Sequence, residues 1–89
     1  MNKQRRKEVI ELSKRVEDLL SVAEILRDDI ESVKMEEDEA YDNLPEPFQY
    51  SEKGEEMEQN VDHLDDAFSS LDDVCSSLDD AIEYFNELL

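Results

Sequence analysis

The sequence predicts an all-α fold: an antiparallel two-helix coiled-coil hairpin that dimerises into a four-helix bundle. Three observations predict it. Apolar residues recur at alternating spacings of three and four along most of the chain, the signature of helices that share a seam. The 89 residues include one glycine and two prolines, and the prolines fall together at Pro45 and Pro47. So few turn formers exclude sandwiches, barrels and other folds built from many short elements. Finally, the segments on either side of the prolines are similar in length, as a hairpin requires. At this length the chain is a single domain, residues 1–89.

The first helix is expected over about residues 4–43. Val9, Val16, Ala23, Ile30 and Leu44 fall at heptad position a, and Leu12, Leu19, Leu26, Val33 and Ala40 at d. Glu37 interrupts the a series. Leu20 and Val22 widen the stripe, while Ile10, Ile25 and Met35 lie on the opposite face. A two-helix seam has no use for these additional apolar residues, so they point to a second buried surface.

The turn is expected at residues 44–51, where two prolines in three residues stop the helix and hold the chain extended. Tyr41, Leu44, Phe48 and Tyr50 gather there. They either close the hairpin end as a small core or offer an apolar anchor at the tip, with Tyr41, Phe48 and Tyr50 as its contacts. Ser51 is the expected N-cap of the second helix, followed by Glu52, Glu55 and Glu56 near its positive end. Gly54 sits oddly early in that helix.

The second helix is expected over about residues 52–88. Val61, Phe68, Cys75, Ile82 and Leu89 occupy a, and Met57, Leu64, Leu71, Leu78 and Phe85 occupy d, without a fault. A seven-residue unit repeats: Leu64-Asp65-Asp66-Ala67-Phe68-Ser69-Ser70, then Leu71-Asp72-Asp73-Val74-Cys75-Ser76-Ser77, then Leu78-Asp79-Asp80-Ala81-Ile82. Each helix is then roughly 55–60 Å long at ~1.5 Å per residue. Ala67, Val74, Ala81 and Leu88 at g extend the apolar face and favour a homodimer, since a single two-helix core is thin. A hairpin completed by a target protein is the alternative.

Charge dominates the composition. Twenty-seven acidic residues against nine basic ones leave a formal charge of -18. Residues 1–15 run the other way, with six basic and two acidic side chains. Antiparallel folding sets that basic start beside Asp79, Asp80, Glu83 and Glu87. No segment approaches the ~18 apolar residues of a membrane helix, and Glu8 and Glu11 interrupt any signal-peptide core after the basic start. The single cysteine, Cys75, has no internal disulfide partner. A cytoplasmic protein without a membrane association is expected.

The Asp pairs at 65/66, 72/73 and 79/80 are the most distinctive chemistry. They occupy e and f, so they recur along one ridge about every 10.5 Å. Aspartate is a poorer helix former than glutamate, yet it holds its charge closer to the backbone. Duplex DNA carries one charge per ~1.7 Å of axis. A carboxylate rod imitates part of that array, although such a run also serves simply as a solvated face. Adjacent Asp residues diverge by ~100° around the helix and chelate a metal poorly; no metal and no cofactor are expected. Cys75 reads as a small buried hydrophobe with no base nearby to form a thiolate. His63 has no catalytic partner. Ser69, Ser70, Ser76 and Ser77 form a small polar face that resembles an acidophilic phosphorylation pattern and also permits close helix approach. The Lys3–Lys7 cluster with Lys14 and Arg15 offers phosphate contacts, but the overall charge repels nucleic acid, so direct binding to it is not expected.

The stretches Tyr41-Asp42-Asn43-Leu44-Pro45-Glu46 and Ser51-Glu52-Lys53-Gly54-Glu55-Glu56-Met57-Glu58, followed by the Leu64-Asp65-Asp66-Ala67 repeats, resemble a family of small proteins. These are acidic helical proteins encoded by phages and integrative mobile elements of Gram-positive bacteria. The resemblance covers roughly residues 30–85. It implies a bacterial host cytoplasm and a role in modulating host or defence proteins, and it carries over no functional residues. The expected function is therefore a non-enzymatic acidic inhibitor of a basic, nucleic-acid-handling protein. Asp65, Asp66, Asp72, Asp73, Asp79 and Asp80 are its contacts. The alternative is an adaptor whose apolar seam captures a partner helix.

Overall fold

The computed structural model describes all residues, 1–89, and is helical with no strands. Helix α1 runs Lys3–Asp42, a single turn α2 runs Glu46–Gln49, and α3 runs Glu52–Leu88. The two long helices lie antiparallel in a rod whose Cα extents are 69 × 14 × 14 Å. Both begin at side-chain caps. Asn2 Oδ1 accepts from the Arg5 N–H at 2.8 Å, and Ser51 Oγ accepts from the Gly54 N–H. Helix α1 passes through Glu36–Glu39 without interruption.

The turn differs from the expected extended loop, because residues 46–49 close into helix α2. Pro47 stands in the first turn of α2, where a missing N–H costs nothing. Gln49 then reaches back, its side-chain N–H donating to the Tyr41 and Leu44 carbonyls at 3.3 and 3.2 Å. Those carbonyls lie at the end of α1, and the Tyr41 carbonyl also accepts from the Leu44 N–H at 3.0 Å. Gly54 explains itself here. A Cβ on it would stand 2.7 Å from the Phe48 carbonyl oxygen and nearer still to Gln49, so the backbone of α2 fits only against a glycine.

In α3 the seam is the expected one as far as Phe85: Met57, Val61, Leu64, Phe68, Leu71, Cys75, Leu78, Ile82 and Phe85 are all buried or half-buried, whereas Leu89, expected at a, lies past the helix end and is exposed. In α1 only the a series holds. The second seam row is Ser13, Leu20, Arg27, Lys34 and Tyr41, one residue further on than expected. Leu12, Leu19, Leu26, Val33 and Ala40, expected at d, are exposed instead. The reason lies across the interface. Arg27 Nη1 meets Asp72 Oδ1 at 3.1 Å and Lys34 Nζ meets Asp65 Oδ1 at 2.9 Å. Rotating α1 by one residue seats the long basic stems against the seam and sets their charges on α3's aspartates. Glu37, which interrupts the a series, accepts from the Asn60 side-chain amide at 3.4 Å. Small residues on both sides are among the best sealed of the seam, with Ala23 6% and Cys75 4% exposed. The register of the ion pairs sets these two within one residue of each other.

Candidate binding surfaces

The ion pairs give the rod two different sides. Arg27–Asp72 and Lys34–Asp65 join the e column of α1 to the e column of α3. The opposite flank therefore carries d of α1 and g of α3, and the Glu37–Asn60 contact lies toward it.

The first flank is acidic. Glu17, Glu24, Glu31 and Asp38 line it on α1, and Glu58, Asp65, Asp72 and Asp79 on α3, all exposed. Asp62 and Glu83 lie further round the same side of α3, and Asp66, Asp73 and Asp80 face straight out along its back. The predicted ridge is thus one part of a larger surface fed by both helices, and only pairing the helices joins the two columns. Its members are not equivalent. Asp65 and Asp72 are tied to Lys34 and Arg27, whereas Asp66, Asp73, Asp79 and Asp80 enter no ion pair. No three His, Cys, Asp or Glu side chains converge on a metal-holding arrangement.

The second flank is apolar along its middle and free of acidic residues on α3, while Glu8, Arg15, Asp29 and Glu36 border it on α1. Beside the exposed Leu12, Leu19, Leu26 and Val33 of α1 run Ala67, Val74, Ala81 and Leu88 of α3. Next to these on α3 come His63, Ser70, Ser77 and Tyr84. From Asn60 to Leu88 neither α3 column on this side holds an Asp or Glu. His63 faces away from the acidic flank, and Cys75 is buried and free.

At the tip, the four bulky residues divide. Tyr41 and Leu44 turn inward and are half-buried, while Phe48 and Tyr50 are exposed. The Tyr41 hydroxyl meets the Glu58 carboxylate, and this contact, with partial burial and the charges of Glu58 and Asp42, pushes the phenol up to about 12. The Lys34 ammonium is likewise raised, chiefly by its hydrogen bond to Asp65. The sign is the same for both. Each folded-state value exceeds the unfolded one near 10, so each contribution to stability is complete below the unfolded value and is lost as the pH rises through the raised folded value, which for Tyr41 is about 12. Thermal melts across pH 8–12 should show this decline. In a spectrophotometric titration at 295 nm, Tyr41→Phe should remove the highest-pH phenolate step.

No helix is long and apolar enough to cross a membrane. No protein-family model matches the sequence, and neither does any curated protein or solved structure.

Proposed function

We propose that this is a non-enzymatic protein that binds a basic, nucleic-acid-handling protein through its acidic flank and blocks the groove where nucleic acid sits. The observation that carries the reading is the sidedness of the rod. Two columns of carboxylates, one from each helix, run parallel along a stiff body, and nothing basic interrupts them except the Arg27 and Lys34 stems. Rows about 10 Å apart on neighbouring helices, each with a charge every ~10.5 Å, present a two-row anionic surface to a protein built for a duplex. Rigidity favours this use, since the carboxylates need little ordering on binding. The resemblance of the turn and repeats to phage and mobile-element proteins fits an anti-defence role inside a bacterial host.

The hairpin is proposed to pair with a second copy as a four-helix bundle. The exposed apolar flank favours that arrangement. The same flank supports the second reading, an adaptor that captures a partner helix. Charge separates the two functions. A variant with Asp66→Asn, Asp73→Asn, Asp79→Asn and Asp80→Asn leaves both cross-helix ion pairs in place. The immobilised protein and this variant are each exposed to a bacterial lysate and eluted with rising salt or with added duplex DNA. Charge mimicry expects nucleic-acid-binding proteins that leave at moderate salt, are displaced by DNA, and are retained at least tenfold less by the variant. A helical partner held equally by both versions at high salt overturns mimicry in favour of the adaptor.

A further inference from the structure

We infer that the apolar flank is the seat of a second copy, packed antiparallel with α1 lying on α1 about a two-fold axis at Val22–Ala23. The inference rests on the paired-hairpin reading above and specifies its face and register.

The first ground is the choice of seam. Leu12, Leu19, Leu26 and Val33 stand outside the seam while Ser13, Arg27 and Lys34 occupy it; Leu19 is 55% and Val22 62% exposed. For an isolated hairpin this leaves the better hydrophobes in water. It is the arrangement expected when another surface covers them.

The second ground selects the occupant. A basic partner has no need of an acid-free surface, but a second copy of a chain charged -18 does. On this flank alone the carboxylates thin out, and the α3 columns from Asn60 to Leu88 have none. Small side chains there, Ala67, Ser70, Ser77 and Ala81, let two α3 helices approach closely.

The third ground sets the direction. Residues 1–15 and 75–89, at one end of the rod, together hold six basic and six acidic side chains. Residues 30–60, at the other end, hold eleven acidic and two basic, a net -9. Parallel stacking superposes two strongly negative tips, whereas antiparallel stacking lays each tip on a neutral end. Val22 and Ala23 are the midpoint of α1, so a two-fold there keeps the rods in full overlap. It also sets Leu12 against Val33 of the second copy and Leu19 against Leu26 of the second copy, and brings Arg15 within one residue of the level of Asp29 of the second copy. The one like-charged meeting, Glu8 with Glu36 of the second copy, falls at the rim near Arg5. From Leu12 to Val33 the flank runs about 32 Å, and a helix pair is roughly 20 Å wide. On the order of 600 Å² per copy reaches the lower end of what specific interfaces bury.

The test combines sedimentation equilibrium with cross-linking of the full chain, each variant first checked for helicity by circular dichroism. The wild type is expected to be a dimer. In a Cys75→Ala background, Val22→Cys should link to itself under mild oxidation, because only this register places residue 22 on the axis. Arg15→Glu alone should weaken the dimer about tenfold, and Arg15→Glu with Asp29→Arg should restore it. Leu19→Asp with Leu26→Asp should leave folded monomers. A dimer in which Val22→Cys fails to link and the charge swap fails to rescue overturns this register while leaving paired hairpins standing. A wild-type monomer at millimolar concentration overturns both.

Discussion

Gly54→Ala should lower the melting temperature of the hairpin, against the expectation from helix propensity. Gly54 lies three residues into α3, and alanine in a helix interior is worth about 1 kcal/mol over glycine. On propensity alone the substitution is stabilising. The tertiary fit reverses the sign. The added methyl meets the carbonyls of Phe48 and Gln49, which are backbone atoms of α2 and cannot swing aside as a side chain would. Relief requires α2 to lift from α3, loosening the clamp that Gln49 places on the Tyr41 and Leu44 carbonyls. Overpacking of this kind costs about 1–3 kcal/mol, enough to outweigh the gain. Urea unfolding of Gly54→Ala beside an exposed mid-helix control, Ser76→Ala, measures the difference. A Gly54→Ala variant as stable as the wild type would show that α2 does not press on α3.

Ala23→Leu is expected to destabilise the rod by about 1–2 kcal/mol, and Cys75→Ala to recover part of the loss when added to it. Both positions are nearly sealed, and the register of the ion pairs places them within one residue of each other across the seam. Three extra heavy atoms do not fit at a position sealed against the partner helix, so a leucine must push the helices apart or take a poor rotamer. Removing the Cys75 sulfur opens room at the same level. The informative quantity is the coupling in a double-mutant cycle. Cys75→Ala alone is destabilising because it removes buried contacts, yet in the Ala23→Leu background it should become neutral or favourable. Additive effects would place the two residues at different levels of the seam.

These two sites differ in how much of them the sequence disclosed. Cys75 was legible as a seam residue from the heptad, and Ser51 as a cap from its place before Glu52, because both depend on local spacing and local hydrogen bonds. Gly54 was visible only as an oddity. Its reason is the backbone of α2 at Phe48 and Gln49, and a helix of four residues bearing two prolines within and before it leaves no periodic signal. Gln49 was missed altogether, since a polar residue after Pro-Phe carries no mark of the carbonyls it will satisfy. Knowing that Pro45 follows the end of a helix, one can ask which nearby amide serves the last carbonyls, and Gln49 is the nearest glutamine.

The candidate surfaces divide along the same line. The Asp repeat at 65/66, 72/73 and 79/80 was plain in the sequence, being periodic within one helix. That Asp65 and Asp72 are engaged by Lys34 and Arg27, while Asp66, Asp73, Asp79 and Asp80 stay unpaired, depends on the register between helices.

The sequence by itself determined the helical class, the extents of α1 and α3 to within a residue or two, the break at Pro45–Pro47, and the seam of α3. Each follows from spacing and caps that a single helix carries in its own residues. The tertiary structure alone decided which side of α1 faces α3. The leucine column at Leu12, Leu19 and Leu26 makes d the apolar choice for a helix considered alone. The partner helix offers Asp72 and Asp65 on the other side, and satisfying them turns α1 so that Arg27 and Lys34 enter the seam. That rotation leaves one flank acidic and the other apolar. A pairing between helices about 45 residues apart in the chain, as Arg27 and Asp72 are, has no counterpart in any local pattern.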